Sequence, residues 1–369
     1  MDDCDMPGAE LSRGFYEELV APVLAESLPG LRYAAARLGT GSDVLGLDDA
    51  ISRDHDWGCR LTLLVGAADG DLVPRISDLL ERRLPKDYRG RPVRFATSWD
   101  PRQAHRVEAA TVGGFAASRL GVDPVGGLSA LDWVLLTGQS VLEVTAGPVF
   151  ADRTTELGQV RQMLRWYPRD VERYVLAAAW RRLQRQLSFV GRTAERDDEL
   201  GSRMLCAELA ADLMWLAFVL CRRWPPYAKW RGTVFRSLPV AADLAGPLYD
   251  AVTARDWRAR EDALATGIEV LVAAQHALGL PVPASGINRC WGRSYRTLND
   301  QIWKDLLESI ADPEVAALPR GIGCVERWVD GAGLLASPRR RAALHIAYSA
   351  WSALVPVRED GPAISSFRR

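Results

Sequence analysis

Apolar residues recur at helical spacing from residue 9 to 28, at Leu11, Phe15, Leu19, Val20, Val23 and Leu24. The pattern predicts an amphipathic helix that Gly30 ends. Residues 32–39 (RYAAARLG) are short and apolar and predict a buried strand, and residues 57–65 (WGCRLTLLV) predict a second one. Between them, 39–53 is a loop rich in Gly and Asp. Leu72, Ile76, Leu79, Leu80 and Leu84 share one face of a helix over 71–84. Residues 92–99 and 106–112 read as two further strands. Helix and strand therefore alternate over the first 120 residues, which predicts an α/β or α+β layer built on a small mixed sheet.

From Leu128 onward the period changes. Segments 156–167, 170–190, 199–224, 239–279 and 295–311 all carry the 3.6-residue repeat. Ten of the thirteen Trp residues stand at or after Trp166, as a large helical core requires. The pair Pro225-Pro226 breaks one helix sharply, and 279–286 reads as a loop. The expected class is α+β: an N-terminal α/β domain over 1–124, followed by a helical bundle over 125–369.

A chain of 369 residues with 48% hydrophobic and 25% charged residues is long enough for two domains with large cores. The formal net charge of −1 disfavours a nucleic-acid coat or a membrane-surface protein. The longest apolar run, 213–221, is too short to cross a bilayer. The opening MDDCDMPGAELSRGF has no apolar signal stretch. Six scattered Cys with no CxxC pair fit reduced thiols and a cytoplasmic location. The even balance hides an asymmetry. Residues 1–60 hold 12 acidic against 5 basic side chains, a net of −7, while 161–236 hold 15 basic against 8 acidic, a net of +7. The acidic segment contains Asp54 and Asp56.

The segment carrying chemistry is 39–56, GTGSDVLGLDDAISRDHD. A strand leads into Gly41-Ser42, Gly46 follows, and Asp54-His55-Asp56 open the next strand. Glycines at 41 and 46 let backbone N–H groups approach a phosphate, and Ser42 can add a hydroxyl donor. Strand alternation points the Asp54 and Asp56 carboxylates to one side, where they can bind a hard divalent cation such as Mg²⁺. His55 then points to the other face, towards packing. Asp43, Asp48 and Asp49 read as solvated turn residues, and Arg53 could neutralise local charge or touch phosphate.

This string resembles the signature of the polymerase-β-type nucleotidyltransferase superfamily, a Gly-Ser, a second Gly, then Ser-Asp-x-Asp entering a strand. Gly41, Ser42 and Gly46 match directly. Ser52, Asp54 and Asp56 match with Arg53 as one extra residue. The fuller string GSDVLG…SRDHDWG resembles a bacterial nucleotidyltransferase-like family with a helical second domain, similar in plan to kanamycin-type nucleotidyltransferases. The close motif covers about 30 residues. The resemblance implies a two-metal mechanism in which an acceptor hydroxyl attacks the α-phosphorus of a nucleoside triphosphate and pyrophosphate leaves. It implies Asp54 and Asp56 as metal ligands and Gly41 and Ser42 as phosphate holders. A third carboxylate is implied on a later strand. Val93-Arg94-Phe95 carries no acid, which leaves Glu108, in HRVEAATV, as the candidate.

The helical half adds two candidates. Glu208 and Asp212 lie one turn apart on the strongly apolar stretch 204–221. They either pair with Arg203, Arg182 or Arg185, or Glu208 serves as a general base, since the kanamycin-type enzymes draw a carboxylate base from their helical domain. Lys229, one of only three Lys, follows the double proline between Tyr227 and Trp230. It either reaches the triphosphate or packs its stem on Trp230. Arg192, Arg196 and Asp198, in a turn between helices, could assist. The expected function is Mg²⁺-dependent transfer of NMP, AMP from ATP, to the hydroxyl of a small-molecule acceptor. The alternatives are a protein-nucleotidylating enzyme or a catalytically degenerate nucleotide- or partner-binding module. No membrane or nucleic-acid partner is expected, and oligomeric state is left open.

Overall fold

The computed structural model describes residues 6–52, 56–289, 294–329 and 331–353. The described residues divide into two compact units. The first comprises 6–52, 56–127, 136–167 and 221–238; the second comprises 128–135, 168–220 and the described residues from 239 on. The chain is α+β, with a mixed sheet and its helices first and a largely helical region after it.

In the first unit, seven strands follow in chain order: β1 (Tyr33–Ala36), β2 (Arg60–Val65), β3 (Asp87–Tyr88), β4 (Arg91–Pro92), β5 (Arg94–Thr97), β6 (Asp100–Thr111) and β7 (Val149–Asp152). Among the described residues the central sheet has five strands in the order β5-β6-β2-β1-β7, while β3 and β4 form a small ribbon. Only β2 and β6 in that sheet run parallel, in register from Arg60 opposite Arg106 to Val65 opposite Thr111. Period-two alternation sends Leu61, Leu63 and Val65 into a core with Leu11, Phe15, Val20 and Leu24 of the N-terminal helical segment. Ile76 and Leu80 of helix Val73–Arg83 close that core. Full burial of each such side chain is worth roughly 1.5–3 kcal/mol. Thr62 and Leu64 point the other way and are buried too, as the strands of a two-sided layer must be. Helix Val112–Leu120 follows β6. Thr111 caps its start by accepting from the Gly114 N–H, and Gly121 ends it at φ +88°.

In the first unit the sequence-based elements hold with four local differences. The helix expected over 9–28 is a continuous helical segment with one wide turn at Tyr16–Val20. The strand expected over 57–65 starts only at Arg60, so alternation does not orient Asp56, which sits in a bend at φ +57°. The strands expected over 92–99 and 106–112 are a short β5 and a twelve-residue β6. Strand β7 was not anticipated. It pairs with β1 and forms the sheet edge.

The second unit is built round helix Glu199–Leu220. Its last third is apolar all round, and Leu213 and Trp215 to Leu220 are all buried, as a central helix requires. Helices Arg169–Gln186, Ala241–Thr253 and Trp257–Ala277 pack against it. The period over 239–279 thus belongs to two helices. The one expected over 295–311 is strand β9 (Arg296–Leu298), paired with β8 (Ile287–Arg289), followed by helix Gln301–Glu308. Trp180 donates to Gln275 at 2.7 Å, and Gln275 donates to the Pro281 carbonyl at 2.6 Å. No described helix is long and apolar enough to cross a membrane.

Candidate functional site

Strand β1 runs out into Arg37, and the chain turns at Thr40-Gly41-Ser42-Asp43 before Gly46. Backbone N–H groups of Leu45 and Leu47 donate to the Ser42 carbonyl at 3.1 and 2.9 Å, and that of Gly46 to the Asp43 carbonyl. A buried fork holds the turn. Arg37 Nε donates to Asp43 Oδ2 at 2.7 Å and Nη2 to Oδ1 at 2.9 Å. The same guanidinium reaches the Leu38 and Thr40 carbonyls at 2.6 and 2.8 Å. Asp43 is 4% and Arg37 1% exposed, so the pair is a structural brace with its hydrogen bonds filled. Gly41 has no alternative: its φ is +137°, and a Cβ there would lie 2.2 Å from Asp43 Oδ1 and 2.6 Å from Arg37 Nη2. Asp48 is also spoken for, accepting from the Gly8 N–H at 2.7 Å and Trp57 Nε1 at 3.3 Å. Of the three aspartates expected to be solvated turn residues, only Asp49 is one, capping Ile51 and Ser52. Asp43 and Asp48 are internal braces, because buried donors reach back to them.

Asp56 approaches the turn from the other side. Its left-handed backbone aims the carboxylate at the β5–β6 turn, where Ser98 N–H donates to Oδ1 at 2.6 Å and the Ser98 hydroxyl donates to Oδ2. Arg60, at the start of β2, donates to the Asp56 carbonyl at 3.1 Å and to Thr40 Oγ1 at 3.2 Å, and stacks over Trp99 at 5.1 Å. Burial first, and then the neighbouring Arg37, push the Arg60 guanidinium down to about 9, while Asp43, Asp56 and Glu108 act in the opposite direction. At neutral pH it still carries its charge.

These residues line a cavity of about 160 Å³. Its walls are Thr40, Gly41, Ser42 and Asp43 from the turn, Ser52, Asp56, Trp57 and Arg60 from the next segment, Trp99, and Tyr227, Lys229 and Trp230. Lys229 reaches this wall because its segment is docked on the first unit. Gly138 lies so close to Pro225 that a Cβ would sit 2.2 Å from the Pro225 carbonyl oxygen. Trp224 is buried, donates to the Leu164 carbonyl at 2.9 Å and packs between Trp166 and Tyr167. The Tyr227 N–H donates to Gln139 Oε1 at 3.3 Å. Lys229 Nζ lies 5.0 Å over the Trp230 ring, and both residues line the cavity.

Gly41, Ser42, Asp56 and Lys229 are therefore brought together. Asp54, with Arg53 and His55, lies outside the described residues. Glu108 stands on β6 opposite Thr62, does not line the cavity, and accepts from Arg119 at 2.6 Å. Glu208 is exposed, on the second unit. The burial expected for it falls on Asp212 instead, which is braced by Arg182 at 2.8 Å and by Arg327. The two share a helix face, and the difference lies along the axis: Arg203, Met204, Ala207 and Glu208 are exposed in the first half of the helix, whereas Asp212, Leu213 and 215–220 are buried in the second. Among the described residues no cluster of three His, Cys, Asp or Glu side chains is placed to hold a metal. Burial pushes the Cys59 and Cys206 thiols up to about 11, which suits packing rather than nucleophilic work. Sequence reasoning missed Arg37, Arg60, Ser98 and Trp99. Only Arg37 left a signal, an arginine ending an otherwise apolar strand.

Residues 133–231, which include Gly138, β7 and Lys229, match a family described as a domain of unknown function, DUF4037. The chain is similar to a solved nucleotidyltransferase-like protein from Exiguobacterium sibiricum 255-15, at 14% identity and a TM-score of 0.34, over 73% of this chain and 78% of that one. No curated protein matches the sequence.

Proposed function

We propose that the chain is a Mg²⁺-dependent nucleotidyltransferase that moves AMP from ATP onto the hydroxyl of a small-molecule acceptor and releases pyrophosphate. One observation carries the reading. Gly41, Ser42, Asp56 and Lys229, chosen for phosphate and metal chemistry from distant stretches of sequence, line one cavity. The turn supplies hydroxyl and backbone donors, and Lys229 and Arg60 supply positive charge for a polyphosphate. At about 160 Å³ the cavity is smaller than the roughly 300–1,000 Å³ of whole-ligand pockets. It therefore takes the phosphate end of the nucleotide. Trp99 and Tyr227, 55% and 45% exposed, offer ring faces on which the base can stack.

The donor set suits Mg²⁺. Asp56 is a hard oxygen ligand that keeps lone pairs beyond the two Ser98 uses, and Asp54 is its intended partner. Bound there, the ion would neutralise charge on the polyphosphate and on the departing pyrophosphate. Ser42 and Lys229 hold the outer phosphates, and Arg60 faces the charge that builds during transfer. Glu108 joins as a third ligand only by exchanging Arg119 for the ion.

ATP binding measured with and without Mg²⁺ tests the reading. Mg²⁺ tightens binding in the wild type and has no effect after Asp54→Ala with Asp56→Ala; tightening that survives the double change removes the site assignment. Lys229→Ala should weaken ATP by about tenfold, near 1.4 kcal/mol, with an unchanged melting temperature. A second reading, a nucleotide-binding module without turnover, is favoured by the Glu108–Arg119 contact. Pyrophosphate release across a panel of hydroxyl acceptors, lost in Glu108→Gln, separates the two.

A further inference from the structure

A second cavity in the first unit, about 850 Å³, has four arginines on its wall: Arg161, Arg165, Arg222 and Arg223. Among the described residues that line it the acidic one is Asp152, and that carboxylate is held in place by four hydrogen bonds from neutral groups. Oδ1 accepts from the Thr154 N–H at 3.0 Å, the Thr155 N–H at 3.1 Å and the Thr154 hydroxyl at 2.8 Å, and Oδ2 accepts from the Gly158 N–H at 3.2 Å. Arg161 is partly buried, and its Nη2 donates to the neutral Thr145 carbonyl at 2.5 Å. Burial pushes its guanidinium down, and the Asp152 charge offsets only part of that. Arg222 is held at φ +51°, a left-handed backbone that costs a non-glycine residue about 1–2 kcal/mol and concentrates at ligand sites. Apart from Thr145 and Gln162, most of the remaining wall is apolar, with Leu142, Val149, Leu157 and Trp224 prominent. Leu45 and Pro226 also line it, so the phosphate-binding turn and the Lys229 segment each contribute to both cavities. Four guanidinium groups over an apolar floor repel an organic cation and reward an anion with an apolar body.

We propose that this cavity is a binding site for an organic anion, with its phosphate or carboxylate held by Arg161, Arg165, Arg222 and Arg223 and its apolar body packed on Leu142, Leu157 and Trp224. The volume lies within the range of whole-ligand pockets, roughly 300–1,000 Å³. This site is separate from the nucleotide cavity, and its existence does not depend on nucleotidyl transfer.

The test uses 1-naphthyl phosphate, whose fluorescence reports its own binding to the full chain. It is compared with 1-naphthol, which lacks the charge, and 1-naphthylmethylamine, which reverses it. The expected result is saturable binding of the phosphate, at least tenfold weaker binding of the other two, and a tenfold or greater loss in Arg161→Gln with Arg223→Gln. Arg165→Gln with Arg223→Gln, both at exposed positions, gives the same loss and guards against a folding artefact. Asp56→Asn and Lys229→Ala leave the affinity unchanged. Absence of saturable phosphate binding, equal binding of the amine, or unchanged affinity in both arginine pairs overturns the proposal. Loss confined to Asp56→Asn or Lys229→Ala overturns it as well, by moving the probe to the nucleotide cavity.

Discussion

The turn at Gly41–Gly46 and the helix Glu199–Leu220 each carry an aspartate buried against arginine, yet they use the pair differently. Asp43 is gripped by Arg37 at the floor of a turn, and the groups around it, Ser42, Asp56 and Arg60, face open space. Asp212 is gripped by Arg182 and Arg327 between helices, and what surrounds it on its own helix is core. Burying a charge costs several kcal/mol unless it is paired, so both sites need their arginines merely to exist. The lesson is that a buried carboxylate marks a brace, and chemistry falls to the less buried groups the brace holds in place.

The comparison breaks first at its strongest point. Asp43→Ala strands Arg37 in the interior and should cost about 3–5 kcal/mol of unfolding free energy, and Asp212→Ala, which strands Arg327 but leaves Arg182 half in solvent, should cost about 3 kcal/mol. Calorimetry with ATP titration separates them. Folded Asp43→Ala protein loses nucleotide binding, whereas folded Asp212→Ala protein keeps it; equal retention would mean the turn needs no brace.

A third buried carboxylate sharpens the contrast, because Glu261 in the second unit has no arginine fork. Burial, only partly offset by hydrogen bonds from the Arg296 and Gly191 backbone and by the Arg296 charge, raises it to about 7, with Asp262 adding to the rise. Its Oε1 has no hydrogen-bond partner among the described residues. The folded state therefore holds a proton that the unfolded state has released between about pH 4.5 and 7. Stability should fall as pH rises through that window, by up to about 3 kcal/mol, and level off above it. Glu261→Gln should flatten the profile and be the more stable protein at pH 7.5. A profile with the same slope in both proteins removes Glu261 as its cause.

Smaller effects follow at the dock. Gly138→Ala places a methyl against the Pro225 carbonyl and should cost about 1–3 kcal/mol, with weaker ATP binding because Lys229 is displaced. Unchanged affinity would show that Lys229 does not depend on that close approach. Smallest is Glu208→Ala, an exposed change expected to stay within about 0.5 kcal/mol and to leave ATP affinity alone. A large loss of turnover there would restore it as the base.

Much of the fold is legible locally. The helix through Leu11, Phe15 and Leu24 and the helix through Ile76 and Leu80 follow from spacing, because each buries one continuous face, and β1 and β2 follow from their short apolar runs, because both their faces are buried. The failures have a common form. Strand β7 is four residues long and pairs at the sheet edge, so no local period marks it. The bend at Asp56 replaces strand with a left-handed residue, which removed the alternation argument while leaving Asp56 beside the turn. Asp43, one residue past Ser42, reads as a turn residue until Arg37 is seen to fold back on it.

The sequence alone determined the elements that bury a periodic face and the short Gly-Ser turn with its acidic neighbours, since both are written in residues adjacent along the chain. It also located the basic segment 161–236 without showing what it surrounds. Only the tertiary structure decided that Lys229 and Ser42 line one cavity, that Glu108 is held by Arg119, and that four of those arginines share a cavity with an apolar floor. The two cavities depend on a close approach between distant segments, such as Gly138 against Pro225, and such contacts are set by packing and by the absence of a Cβ.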